Sequence, residues 1–289
     1  MLKSIKPHNG YNSCERCIVE GEYKENRAVF NDIGCALRSD QDFSQGKYQP
    51  LHQLGKSVFV DYGFPCVLGF VLDRMHLVML GVVRRILLFL KEGPRICKLS
   101  QLQLNEISKN LEYLKGKLPS EFARQPRSLK ELSHWKATEF KQFILYTGPV
   151  VLKGVVSNEA YTHFLAFSIA IRIMCSTDPD KRAELLQYAK NLLEWFFFKS
   201  KNVYGESFIT YNVHSLIHLH QDVENYGEDL LSLSAFPFEN YMHVLKKFIH
   251  SANNPLVQII KRCSELEKSG ESITHQYIND KIGIADRDS

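Results

Sequence analysis

From His76 to Lys268 the chain repeats one pattern, apolar residues at helical spacing punctuated by capping signals. That pattern narrows the fold more than any other feature of the sequence. Leu77, Leu80, Val83, Leu87 and Leu90 form a stripe over His76 to Lys91. Ser100 and Gln103 make a capping box ahead of Leu104, Ile107, Leu111 and Leu114, with Pro119 beyond the end. Further helices are expected over Ser133 to Tyr146 (closed by Gly148-Pro149), Asn158 to Cys175, and Asp178-Pro179 to about Phe198. Trp195-Phe196-Phe197-Phe198 is expected in the core. Tyr211 to Tyr226, Glu239 to Ser251 and Pro255 to Lys268 complete the set.

Residues 1 to about 57 read differently. They are rich in Gly, Asn, Asp and Lys, with short β-type pieces such as Ala28-Val29-Phe30, and suggest hairpins and loops. Val67 to Leu72 is a short apolar run that predicts a buried strand ending at Asp73. The expected fold class is therefore a small α/β part followed by a large all-α part. The expected divisions are 1–95, 96–230 and 231–268, with a disordered tail over 269–289.

Composition excludes some classes. Of 289 residues, 44% are hydrophobic and 24% charged, which is globular rather than disordered. The apolar stretch Phe64 to Leu90 contains Asp73, Arg74, His76, Arg84 and Arg85, a load no bilayer span would carry. Seven cysteines is an odd number, and Cys35, Cys66, Cys97, Cys175 and Cys263 lack paired spacing. A reducing compartment follows, nuclear or otherwise cytoplasmic, with no secretion and no membrane partner. A net charge of +4 permits nucleic-acid binding without arguing for it.

Five motifs carry possible chemistry. Cys14 and Cys17 form a CxxC, which can supply half of a tetrahedral zinc site but also occurs as a redox or accidental pair. His214 and His218 stand four apart, so a helix projects both rings from one face, with His220 as a spare. That spacing suits zinc, and it also suits a histidine-rich helix without a ligand. Asp73 can reach a metal from a strand end, with His76 behind it, or can simply cap the next helix. Glu239 opens an apolar helix, where it favours the helix dipole; its flanks Phe236, Phe238 and Tyr241 suggest partial burial. The basic pairs Arg84-Arg85, Lys246-Lys247 and Lys261-Arg262 can contact phosphates or can be ordinary solvated faces.

Taken together, these blocks resemble a known family. Lys6 to Cys17 resembles the GHxGYxxCxRC stretch of CACTA (En/Spm)-type DNA transposases, and Leu72 to Val82 is similar to their DxMHxxxLGV block. Trp135 to Phe143 with Tyr146 to Pro149, then Tyr211 to His220, then Ser234 to Asn240 follow in the same order. The likeness spans roughly residues 3 to 268. It implies a partial RNase H-like core interrupted by a long helical insertion, and metal-dependent DNA strand cleavage and transfer. Three acids would hold two divalent metals, Mg or Mn, with Asp73 as the second and Glu239 as the third. Cys14, Cys17, His214 and His218 would form a structural zinc site pinning the insertion to the core. DNA is the implied partner, through Arg84, Arg85, Lys246 and Lys247, with homo-oligomers possible and no small-molecule substrate. The family's first aspartate lies upstream of the GHxGYxxC block, before the point at which this sequence starts, so no cleavage by this chain alone is expected. A non-catalytic zinc-stabilised interaction module is the alternative.

Overall fold

A computed structural model describes residues 2–122 and 124–270. The chain divides into two units, Met1–Ser234 and Ala235–Ser289. Among the described residues it is mostly helical, and its one sheet is a two-stranded hairpin.

In the first unit, β1 (Glu22–Lys24) pairs antiparallel with β2 (Arg27–Val29), turning through Glu25 and Asn26, both at positive φ. Two short helices follow, α1 (Asp40–Ser44) and α2 (Val58–Asp61), each started by a serine whose hydroxyl accepts a backbone N–H. The strand expected at Val67 to Leu72 is absent. Its backbone groups are met by side chains instead of a neighbouring strand. Asp40 accepts from the N–H of Val67 (2.6 Å) and of Leu68 (3.3 Å). Asp222 accepts from Leu72 N–H (2.7 Å), and Arg16 donates to the carbonyls of Val67 and Phe70. Buried backbone groups must be paired, but an apolar run does not dictate with what.

From Met75 the chain is helical. A widened π-helical stretch, Met75–Val83, runs into α3 (Arg84–Glu92), and α4 (Gln101–Tyr113) begins with the Ser100–Gln103 capping box. The helix expected over Ser133 to Tyr146 is broken up. A 3₁₀ stretch, Leu129–His134, precedes α5 (Ala137–Gln142), a π-helical turn at Phe143–Thr147, and α6 (Gly148–Val151). Pro149 continues this path because it sits in the first turn of α6, where its missing N–H removes no helical bond.

α7 (Asn158–Met174) packs along α8 (Pro179–Tyr204), which Asp178 caps as expected and Gly205 ends. Phe167 of α7 stacks on Phe196 of α8 at 4.7 Å, and Phe164 and Phe197 are buried on the same two helices, each of the four at most 2% exposed. A fully buried Phe contributes about 1.5–3 kcal/mol, so this quartet is a main stabilising element. Trp195 and Phe198 are 38% and 66% exposed, contrary to expectation. Successive helical residues turn about 100°, so four in a row cannot all face one core. A 3₁₀ turn, Glu206–Phe208, leads to α9 (Tyr211–Ser215), a tight 3₁₀ stretch Leu216–His218, and α10 (Leu219–Tyr226), ended by Gly227 in the left-handed region.

The second unit contains α11 (Phe236–Lys247) and α12 (Pro255–Lys268). Of the flanks expected to be partly buried around Glu239, Phe236 and Tyr241 are half-buried, while Phe238 (72% exposed) and Glu239 itself face outward. The tail expected from residue 269 lies, from 271 onward, outside the described residues. No helix among the described residues is long and apolar enough to cross a membrane.

Candidate metal centre

The CxxC sits in the loop before β1, where Cys17 bridges antiparallel to Leu37 and Ile18 N–H donates to Ala36. This pairing holds the loop as a tight knuckle, with Cys17 N–H donating to Cys14 Sγ at 3.4 Å. His214 lies in the last turn of α9 and His218 closes the following 3₁₀ stretch, so the two histidines straddle a tightened turn rather than sharing one regular helix. Their rings still converge, with centroids 5.4 Å apart.

One ligand atom from each of Cys14, Cys17, His214 and His218 lies within 4.8 Å of every other, and all four residues are buried. Cys14 and Cys17 Sγ stand 3.5 Å apart, and Cys17 Sγ stands 3.2 Å from His214 Nε2. Four ligands about 2.0–2.3 Å from one zinc ion are roughly 3.3–3.8 Å apart along tetrahedron edges, so these separations are of the right size. The cysteines are free thiols, not a disulfide. His218 Nε2 is buried with no hydrogen-bond partner among the described residues. Two sulfurs and two imidazoles form a borderline-soft set that can hold a metal such as zinc.

The electrostatics are those of a thiolate-bearing site. Burial by itself would raise the Cys14 thiol, but hydrogen bonds from Cys17, His214 and His218 outweigh it and hold Cys14 well below the usual thiol range. Cys17 is raised, first by its hydrogen bond to Cys14 and then by burial. Arg38, 7% exposed, donates through Nε to Cys14 O at 3.0 Å and lies over the Tyr48 ring. Burial lowers its guanidinium, partly offset by the cysteines and Tyr48.

Arg16, between the two cysteines, is the feature the sequence reading passed over. It points away from the sulfurs and donates to Asp222 Oδ1 at 2.6 Å, both side chains 1% exposed. Asp222 in turn holds Leu72 N–H. One buried ion pair therefore joins the knuckle, α10 and the segment before Asp73. A charged residue inside a buried CxxC was the available signal, because such a charge needs a partner.

No family model, no curated protein and no solved structure matches this chain. The remaining site residues are therefore placed on geometry alone.

Asp73 and His76 border a cleft of about 420 Å³ beside the knuckle, with Lys6, His8, Glu15 and Tyr211 among its walls. Asp73 Oδ2 accepts from His76 N–H at 3.0 Å and pairs with His76 Nδ1 at 2.6 Å, while Oδ1 accepts from Met75 N–H at 3.3 Å. The helix-capping geometry is thus present. Glu239 lies in the first turn of α11, in the second unit. Arg84 is exposed, whereas Arg85 donates to the carbonyls of Ser207 and Phe208 and stacks over Phe89. Burial, with the like charge of Arg27 second, brings the Arg85 guanidinium down to about 10. Its fork is occupied inside the fold. Lys246 and Lys247 are exposed in the last turn of α11.

Gly81 has a packing role. A Cβ there would lie 2.6 Å from Asn212 Nδ2 and 2.7 Å from His76 O, so only glycine lets the π-helical stretch meet α9 this closely.

Proposed function

We propose that this chain is a zinc-clasped, DNA-engaging core of CACTA-type transposase ancestry. The observation that carries the reading is the convergence of Cys14 and Cys17 with His214 and His218, some 200 residues later, on one buried point. The resemblance implies that same ligand set. In this reading Zn²⁺ is structural and ties the N-terminal knuckle to the end of a long helical insertion in a partial RNase H-like core. All four positions are filled by protein, as in closed structural sites.

The catalytic part of the ancestry has less support. Mg²⁺ or Mn²⁺ needs several oxygen ligands in near-octahedral geometry. The Asp73 oxygens instead accept from two backbone N–H groups and His76 Nδ1. That arrangement favours the second reading, a non-catalytic zinc-stabilised interaction module.

The test uses the purified chain. Metal analysis is expected to give one zinc per chain, labelled duplex DNA to bind, and supercoiled plasmid with Mg²⁺ or Mn²⁺ to remain unnicked. Absence of zinc or of DNA binding sinks the reading. Metal-dependent nicking that disappears in Asp73→Asn and Glu239→Gln restores a catalytic role to both acids.

A further inference from the structure

A second cleft, of about 710 Å³, brings Arg27, Arg84 and Arg85 together. Arg27 comes from β2 and Arg84 and Arg85 from the start of α3, so only the folded hairpin places the three side by side. Arg85 is engaged by carbonyls, as described above. Arg27 and Arg84 are exposed and form no ion pair among the described residues. Glu25 and Glu92 line the same cleft, and Glu92 meets Lys91 at 3.1 Å.

The floor is equally distinctive. Gly81 contributes bare backbone, and Asn212 lies against it and also borders the Asp73 cleft. The two clefts therefore share a wall residue, and the Asp73 cleft carries Lys6 and His8 together with the carboxylates of Glu15 and Asp73. Unpaired guanidinium groups beside a backbone floor and an amide donor suit an extended polyanion with regularly spaced oxyanions. A compact anion would need one enclosed pocket instead.

We infer that Arg27 and Arg84 guide the phosphodiester backbone of duplex DNA along this groove, past Asn212, toward the Asp73 cleft. The inference rests on the DNA-engaging reading above and adds the surface and its residues. Neither arginine contributes to the core, so both can be replaced in the full chain without touching the metal centre.

The experiment is fluorescence anisotropy with a labelled duplex at several salt concentrations, zinc content and circular dichroism reporting the fold. Arg27→Glu/Arg84→Glu is expected to weaken binding at least tenfold. It is also expected to reduce the slope of log K against log salt by about 1.8, the loss of two phosphate contacts. Arg27→Lys/Arg84→Lys should keep the slope, because charge rather than base reading is at stake. Lys109→Glu/Lys115→Glu makes the same charge change at exposed residues that line neither cleft. If it weakens binding as much as the arginine reversal, net charge explains the loss and the groove is overturned. If the wild type binds DNA and the arginine reversal changes nothing, the groove fails while the DNA reading stands. If the wild type binds no duplex, the DNA reading itself fails. Equal binding to polyglutamate, lost equally on reversal, reassigns the groove to an acidic polypeptide.

Discussion

The guanidinium of Arg16 and the carboxylate of Asp222 meet at 2.6 Å, 206 residues apart in sequence and with almost no solvent access. The pair lies beside the metal centre and holds the backbone just ahead of Asp73 through Leu72 N–H. It gives the clasp a second attachment between the N-terminal knuckle and α10, independent of metal.

Breaking one side of that pair leaves a buried charge without its counterion. Asp222→Ala is expected to destabilise the chain by about 3–5 kcal/mol, read by denaturant unfolding. The double replacement Arg16→Met/Asp222→Leu should recover much of the loss, since an apolar pair of similar volume avoids the desolvation cost. A double variant as unstable as the single one would show that the hydrogen bonds to Val67, Phe70 and Leu72 matter more than the charges.

Metal removal is expected to unfold the first unit rather than merely loosen it. Structural zinc contributes on the order of 10 kcal/mol at neutral pH. Cys17→Ser or His214→Ala should abolish stoichiometric zinc and lower the melting temperature sharply, and a strong chelator should do the same to the wild type. Affinity should fall as pH falls, because protons compete for the thiolates and imidazoles. A chelated chain with unchanged melting would end the structural-zinc reading.

Gly81→Ala places a methyl group against Asn212 Nδ2 and the carbonyl of His76. Overpacking of this kind costs about 1–3 kcal/mol. Hydrogen exchange should show the loss centred on Met75–Val83 and α9. Wild-type stability in this variant would mean that the helices have room to part.

His163 supplies a pH test away from the metal. It is fully buried, stacks on Phe196 at 4.1 Å and bonds to Phe196 O at 2.8 Å through Nε2. Burial lowers its imidazole from 6.5 to about 4, only partly offset by that hydrogen bond. The folded state thus prefers the neutral ring. Its stabilising contribution is complete above about pH 6.5 and is lost as pH falls toward 4. His163→Phe should flatten the decline in unfolding free energy between pH 7 and 5, measured with denaturant. An identical decline in the variant would assign acid sensitivity to other groups.

Local rules made much of the helical set legible. Ser100, Gln103 and Asp178 cap the helices assigned to them, and α7 and α12 run nearly as their periodicity indicates. The metal ligands were legible as two half-motifs, since CxxC and HxxxH are short-range spacings. Whether the halves meet is a long-range question, which spacing leaves open.

The misreadings share a cause. Val67 to Leu72 looks like a strand because hydrophobicity reports burial, and burial is what it has at Val67 and Leu72. Which groups receive its backbone N–H and C=O depends on Asp40, Arg16 and Asp222, brought there from elsewhere in the chain. Trp195 and Phe198 were placed inside by their chemistry, while the direction of α8 turned them outward.

The order of residues by itself determined where α4, α7, α8 and α12 begin, where apolar faces form and which side chains are able to bind a metal. Caps, periodicity and ligand type act over a few residues and need no partner. Tertiary structure alone decided that Cys14 meets His214, that Arg16 finds Asp222, and that Arg27 stands beside Arg84. Those encounters depend on how whole elements pack, and packing is settled by the summed burial of many side chains rather than by any local signal.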